Sequence, residues 1–162
     1  MTVQDAPRAL TPTELHAWRA FLRAHATVTR RLEAELVAEH DLPLASYDVL
    51  VQLSEAPDRR LRMTQLAERV LLSRSGLTRM ADRLEREGLL KREACPSDAR
   101  GTLAVLTDAG LAKLETAWPT HRRGVAEHVT GRLTADEIAT LGALLDKVIG
   151  DAPLPEDPCA DA

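Results

Sequence analysis

Between residues 71 and 92 the chain reads LLSRSGLTRMADRLEREGLLKR and gathers six cations: Arg74, Arg79, Arg83, Arg86, Lys91 and Arg92. Ser73, Ser75 and Thr78 place short hydroxyls among them. A guanidinium fork matches the O6 and N7 edge of guanine, and a threonine methyl can meet the thymine methyl. The same cations neutralise phosphates, which positions a protein on a duplex without reading its sequence. The cluster is local, because the 162-residue chain carries a net charge of -4. Residues 59–100 hold 11 Lys/Arg against 6 Asp/Glu, and the remainder holds 10 against 19. A basic segment inside an acidic chain is a located electrostatic footprint, and the acidic remainder confines phosphate to that face.

The spacing predicts a helix over residues 74–87, capped by Ser73 and ended by Gly88 in the C′ position. At 100° per residue, Leu77, Met80, Ala81 and Leu84 fall on one arc. Arg74, Ser75, Thr78, Arg79, Asp82, Arg83 and Arg86 fan across the other half. Ser73 through Arg79 is the portion expected at base edges. Arg83 and Arg86 go to phosphates or to surface pairs with Glu87 or Asp82. Before this helix, TQLAERV (64–70) reads as a short helix capped by Thr64, and LLS as a tight turn. Two helices so joined form a helix-turn-helix. After it, LLKREA and TLAVL read as strands around CPSDARG, a hairpin that makes this a winged variant. Arg100, beside Gly101 at the tip, has the charge to enter a minor groove. Asp98 is either a carboxylate that steers a neighbouring guanidinium or a solvated turn residue.

These parts need a frame. Hydrophobic residues make up 44% of the chain and aromatics only 2%, so Leu, Val and Ala must build a mainly helical core. Residues 1–12 read as a flexible tail. A long amphipathic helix follows over 13–40, capped by Thr13, with Leu15, Trp18, Leu22, His25, Thr29, Leu32 and Leu36 on one stripe. HDLPL breaks it. A helix at 45–55 and a minor strand at LRM (61–63) come next. A long helix runs from Thr107 or Asp108 towards Thr130, interrupted by Pro119. LTADEIATLGALLDKVI (133–149) opens with a Thr134–Glu137 capping box, and the acidic, proline-rich 151–162 reads as disorder. The expected fold is mainly α with a small β-hairpin wing: a winged helix-turn-helix at 45–107, flanked by long helices at 13–40 and 108–149.

The absence of a long apolar run makes the cytoplasm the expected compartment. Cys95 and Cys159 are too few for a disulfide scaffold. No Gly-rich phosphate loop, nucleophile elbow or paired carboxylates point to an enzyme. No His/Cys/Asp/Glu set has metal-ligand spacing, and no cofactor is implied.

Three stretches in order, MTQLAERVLLSRSGLTRMADRLEREGLLKR, DARGTLAVLT and DAGLAKL, resemble the MarR family of bacterial transcription regulators. Asp98, Arg100, Leu106 and Thr107 match that family's Asp, one residue, Arg, five residues, Leu-Thr pattern. The likeness spans nearly all of 13–150. It implies a homodimer joined through the first and last two helices, where Leu15, Leu22, Leu141, Leu144, Leu145 and Val148 match apolar positions. It implies a pseudo-palindromic double-stranded DNA operator, repression of nearby genes, and release by a ligand or oxidant. Family ligands are small aromatic or phenolic anions held between the dimer helices and the DNA-binding lobe, which makes Trp18, His25, Tyr47, Asp48 and Arg79 candidates. A urate-responsive branch places Trp, Asp and two Arg much as Trp18, Asp48, Arg79 and Arg92 stand here. Against these roles stand core packing for Trp18 and a structural bond for Asp48. Two other readings are a redox trigger at Cys95, activated by Lys91, Arg92 and Arg100, and a winged helix that binds protein.

Overall fold

The computed structural model describes residues 8–70, 73–95 and 98–150. Leu71 and Leu72, expected as a tight turn, Pro96 and Ser97, expected in the hairpin loop, and residues 1–7 and 151–162 with Cys159 lie outside the described residues. So do the side chains of Arg74, Asp98 and Arg100, although their backbones belong to a helix and a strand.

Helix α1 spans Pro12–His40. Its cap is Thr11, not Thr13: the Thr11 hydroxyl accepts from the Glu14 amide at 3.3 Å, and the Glu14 carboxylate accepts from the Thr11 amide at 2.7 Å. Pro12 dictates this, since its fixed φ and missing N–H suit the first helical position and push the cap one residue back. The expected tail of 1–12 therefore ends earlier, with Arg8 already paired to Glu14. Asp41, at φ 48°, closes the helix in the left-handed region. Helix α2 (Leu44–Glu55) has no side-chain cap of its own. Its first amide donates instead to the Glu33 carboxylate on α1, which fixes the angle between the two helices.

A 3-10 turn at Pro57–Arg59 leads into strand β1 (Arg60–Arg62). Helix α3 follows at Met63–Arg69 and α4 at Arg74–Arg86. Strands β2 (Leu90–Cys95) and β3 (Asp98–Leu106) form the wing. The sheet is three-stranded and antiparallel in the order β1-β3-β2, so β1 ties the base of the wing to the end of α2. Thr64 is not the cap of α3. The helix starts one residue earlier, and the Arg62 amide donates to the Gln65 side chain at 3.1 Å.

Helix α5 (Asp108–His128) starts from Thr107, whose hydroxyl accepts from the Gly110 amide and donates to the Gly88 carbonyl at 2.7 Å. One hydroxyl thus joins the end of α4 to the start of α5. A Cβ at Gly110 would lie 2.0 Å from the Leu89 carbonyl oxygen, so only glycine admits this approach. The expected interruption at Pro119 does not occur: α5 runs through it, held by Ala117 and Thr120, which are buried on either side. Thr120 accepts and donates within a polar seam against α1, bonding His40 and Glu39 at 2.8 Å each. Helix α6 (Ala135–Ile149) opens with the expected Thr134–Glu137 capping box.

The core lies under α4. Leu77, Ala81 and Leu84 are buried with Leu50 and Leu53 of α2, Leu61 of β1, Leu66 of α3, Leu90 and Leu106 of the wing, and Leu114 of α5. Met80 packs at its edge. This is the predicted apolar arc of α4, and truncating one such leucine typically costs about 2–5 kcal/mol.

Candidate nucleic-acid interface

Gly88, at φ 72°, ends α4 in the left-handed conformation that favours glycine, and turns the chain into β2. Helix α4 therefore lies against the wing, with its polar half outward. Ser73 caps it, accepting from the Gly76 amide at 3.1 Å. Its hydroxyl accepts as a cap, and it lies 3.3 Å from the Ser75 hydroxyl. Ser75, Thr78 and Arg79 are exposed on the outward half.

The basic cluster divides. Arg83 pairs with Glu87 one turn on, at 2.8 Å, and the Arg86 guanidinium donates to the Asp82 carbonyl at 3.2 Å. Lys91 pairs with Glu93 at 2.6 Å. Among the described arginines of this segment, Arg79 alone makes no hydrogen bond or ion pair. An exposed, uncommitted guanidinium beside hydroxyls at a helix N-terminus is equipped to meet DNA.

Arg92 does something the sequence reading missed. From β2 it reaches back to α4, bonding Asp82 at 2.6 Å and Glu85 at 2.9 Å through Nε, while its amide donates to Glu85 at 3.1 Å. The pairing holds the Glu85 carboxyl below its ordinary range and raises the Arg92 guanidinium, hydrogen bonds being the main cause of both. This clamp fixes the wing to α4. It also engages the charge of Arg92, an expected ligand residue, with two carboxylates of α4. The signal was available: Glu85 and Arg92 bracket Gly88 at a distance the turn makes short.

Beside the clamp lies a cavity of about 400 Å³ whose lining includes Arg62, Thr64, Thr78, Arg92, Gly101 and Thr102. Thr64, Thr78 and Gly101, which we assign to the DNA-facing surface, therefore meet where α3, α4 and the wing converge. Arg74, Asp98 and Arg100 belong to the same elements by backbone only.

The proposed ligand residues do not form one site within the chain. Tyr47 and Asp48 line a cleft of about 460 Å³ between α2 and α5, together with Glu55, Glu115, Trp118 and His121. The Tyr47 ring stacks on His121 at 4.5 Å. Trp18, His25 and Arg79 are not in this lining. Trp18 is 53% exposed and stacks on Phe21 at 6.1 Å, so it packs no core within one chain. Trp118 and His121 were missed because only the packing of α5 on α2 brings them to Tyr47. Cys95 is buried with Leu103 and Val105, which removes the access that an oxidant trigger needs. Among the described residues, no group of three or more His, Cys, Asp or Glu is placed to hold a metal, and no helix is long and apolar enough to cross a membrane.

Comparison with known proteins agrees with this geometry. The sequence profile of the MarR family matches residues 40–101. The multiple antibiotic resistance protein MarR of Escherichia coli is 34% identical over 119 residues, covering 74% of this chain and 81% of that protein. The regulator YkoM of Bacillus subtilis is 33% identical over 133 residues, covering 82% and 84%. Among solved structures, the Streptomyces coelicolor MarR family regulator Sco3205 in complex with DNA superposes with a TM-score of 0.84 at 38% identity, covering 94% of this chain and 98% of that one. A mutant E. coli MarR complexed with operator DNA superposes at 0.77 with 30% identity, covering 88% and 100%. With its basic α4, its clamped wing and these relatives, the chain belongs to the MarR family of transcription regulators.

Proposed function

We propose that the chain works as a homodimer that binds a pseudo-palindromic double-stranded DNA operator, represses nearby genes, and lets go when a small aromatic ligand binds. The observation that carries this reading is the outward half of α4, where Ser75, Thr78 and an uncommitted Arg79 face solvent beside a wing held in place by Arg92. In this reading α4 enters the major groove, Arg74 and Arg79 read base edges, and Arg83 meets a phosphate. Arg100 at the wing reaches the minor groove, with Asp98 steering it. DNA-bound relatives of the same fold support this.

The dimer is supported by uncovered apolar faces at both chain ends. Trp18, Phe21 and Leu22 are exposed on α1. Helix α6 buries none of its residues and exposes Ile138, Leu141, Leu144, Val148 and Ile149. Monomeric proteins rarely leave contiguous apolar faces in water. A two-fold dimer would set two α4 helices about 34 Å apart, one turn of duplex.

The test is fluorescence anisotropy with the DNA upstream of the gene, titrated at increasing salt. About six phosphate contacts would lower affinity by about 10³ between 50 and 200 mM salt. Absence of binding at low salt would remove the reading.

A further inference from the structure

We infer that the cleft between α2 and α5 binds a small aromatic cation, an organic ammonium group attached to a planar apolar body. The family resemblance implies an anion; the lining argues for the opposite charge. Asp48, Glu55 and Glu115 all face this cleft. Its lining contains no Lys or Arg among the described residues. Arg122 lies in a neighbouring groove that shares Glu115 and Trp118.

The other titratable groups of the lining itself, His121 and Tyr47, do not offset these carboxylates. Burial lowers His121 from its ordinary 6.5, with Asp48 opposing, so the imidazole is neutral at pH 7. Burial raises the Tyr47 phenol, which stays protonated. An aromatic carboxylate entering here would meet three like charges and no donor cation. A cation would meet complementary charge, which sets specificity as much as affinity.

Shape and surface chemistry agree. About 460 Å³ suits a compact ligand. Trp118, half exposed at the rim, offers an indole face, the best aromatic partner for a cation. Asp48 makes no hydrogen bond among the described residues, which sets aside a structural bond as its role. Although its surface is open at the mouth, the surrounding protein raises its carboxyl above the ordinary value, burial outweighing His121. A counter-cation at the mouth would meet a carboxylate that no hydrogen bond of the described residues satisfies.

The inference relies on the ligand-release reading above only for its consequence at DNA, not for binding itself. The experiment is calorimetry of the full chain with benzyltrimethylammonium, benzyl alcohol and benzoate. The cation should bind and benzoate should not. Asp48→Asn should weaken the cation by roughly tenfold or more without lowering thermal stability, and Trp118→Ala should weaken it as well. In a Trp18→Phe variant Trp118 is the sole tryptophan, and its fluorescence should change saturably over the same concentrations. Benzoate binding as well as the cation, or an unchanged affinity in Asp48→Asn, would overturn the assignment. Operator release is read separately. Cation binding with DNA retained keeps this site and removes the ligand-release reading, whereas release by benzoate without cation binding does the reverse.

Discussion

The lobe from α2 to β3 and the helices at the chain ends use the same residue types to opposite effect. In the lobe, Leu50, Leu53, Leu61, Leu66 and Leu84 are wholly buried. On α6, Leu144 is 54% and Val148 77% exposed, and on α1 Trp18 stands in solvent while Leu36 is sealed. The lobe closes its core within one chain, because α2, α3, α4 and the wing surround a common centre. Helix α6 and the Trp18–Leu22 stretch of α1 carry apolar faces that the described residues leave exposed. Amphipathicity fixes that a face must be covered; it does not say by which chain. In the proposed reading the contrast divides the labour: the self-contained lobe shapes the surface offered to DNA, and the open faces are where a second copy would pack.

The largest effect should come from breaking the open half. Leu141→Glu with Leu144→Glu should convert a dimer into a monomer by sedimentation velocity and leave the lobe folded by circular dichroism. Operator affinity should fall by about 10² or more as the two-site advantage is lost. In the closed half, Leu84→Ala should destabilise by about 2–5 kcal/mol in urea titration. That loss should appear without a change in subunit interface, which sharpens the division. Arg79→Ala should leave stability and dimerisation unchanged and cost about 1–3 kcal/mol of discrimination between operator and mismatched DNA, measured by competition. The smallest effect concerns the clamp. The hydrogen bonds from Arg92 lower the folded-state pKa of Glu85. Its contribution is therefore present above the ordinary carboxylate pKa and lost as pH falls through the lowered one. Thermal melts of the native chain and Glu85→Gln should differ slightly at pH 7 and converge in acid. Both partners are solvent-accessible, so the difference is small.

Much of the lobe was legible because its signals are local. The Ser73 cap, the four-residue apolar arc of α4 and Gly88 all act within a few residues of one another. The same holds for Thr134 and Glu137 at α6. Where two local signals competed, the reading slipped: Thr13 looked like a cap until Pro12 claimed the first helical position for Thr11. The tertiary pairs were less accessible. Arg92 read as a candidate ligand residue, and only the approach of β2 to α4 shows it clamped by Asp82 and Glu85. The cleft residues Asp48 and His121 lie far apart in the chain and meet through packing of α2 on α5. No periodicity encodes such a meeting.

The most direct test of the division is the stoichiometry of the DNA complex. Sedimentation equilibrium with a labelled duplex carrying one inverted repeat from the upstream region counts chains per operator. The account predicts two chains on the full repeat, bound cooperatively, with affinity that collapses when one half-site is scrambled. One chain per duplex, bound equally well to the scrambled repeat, would contradict it.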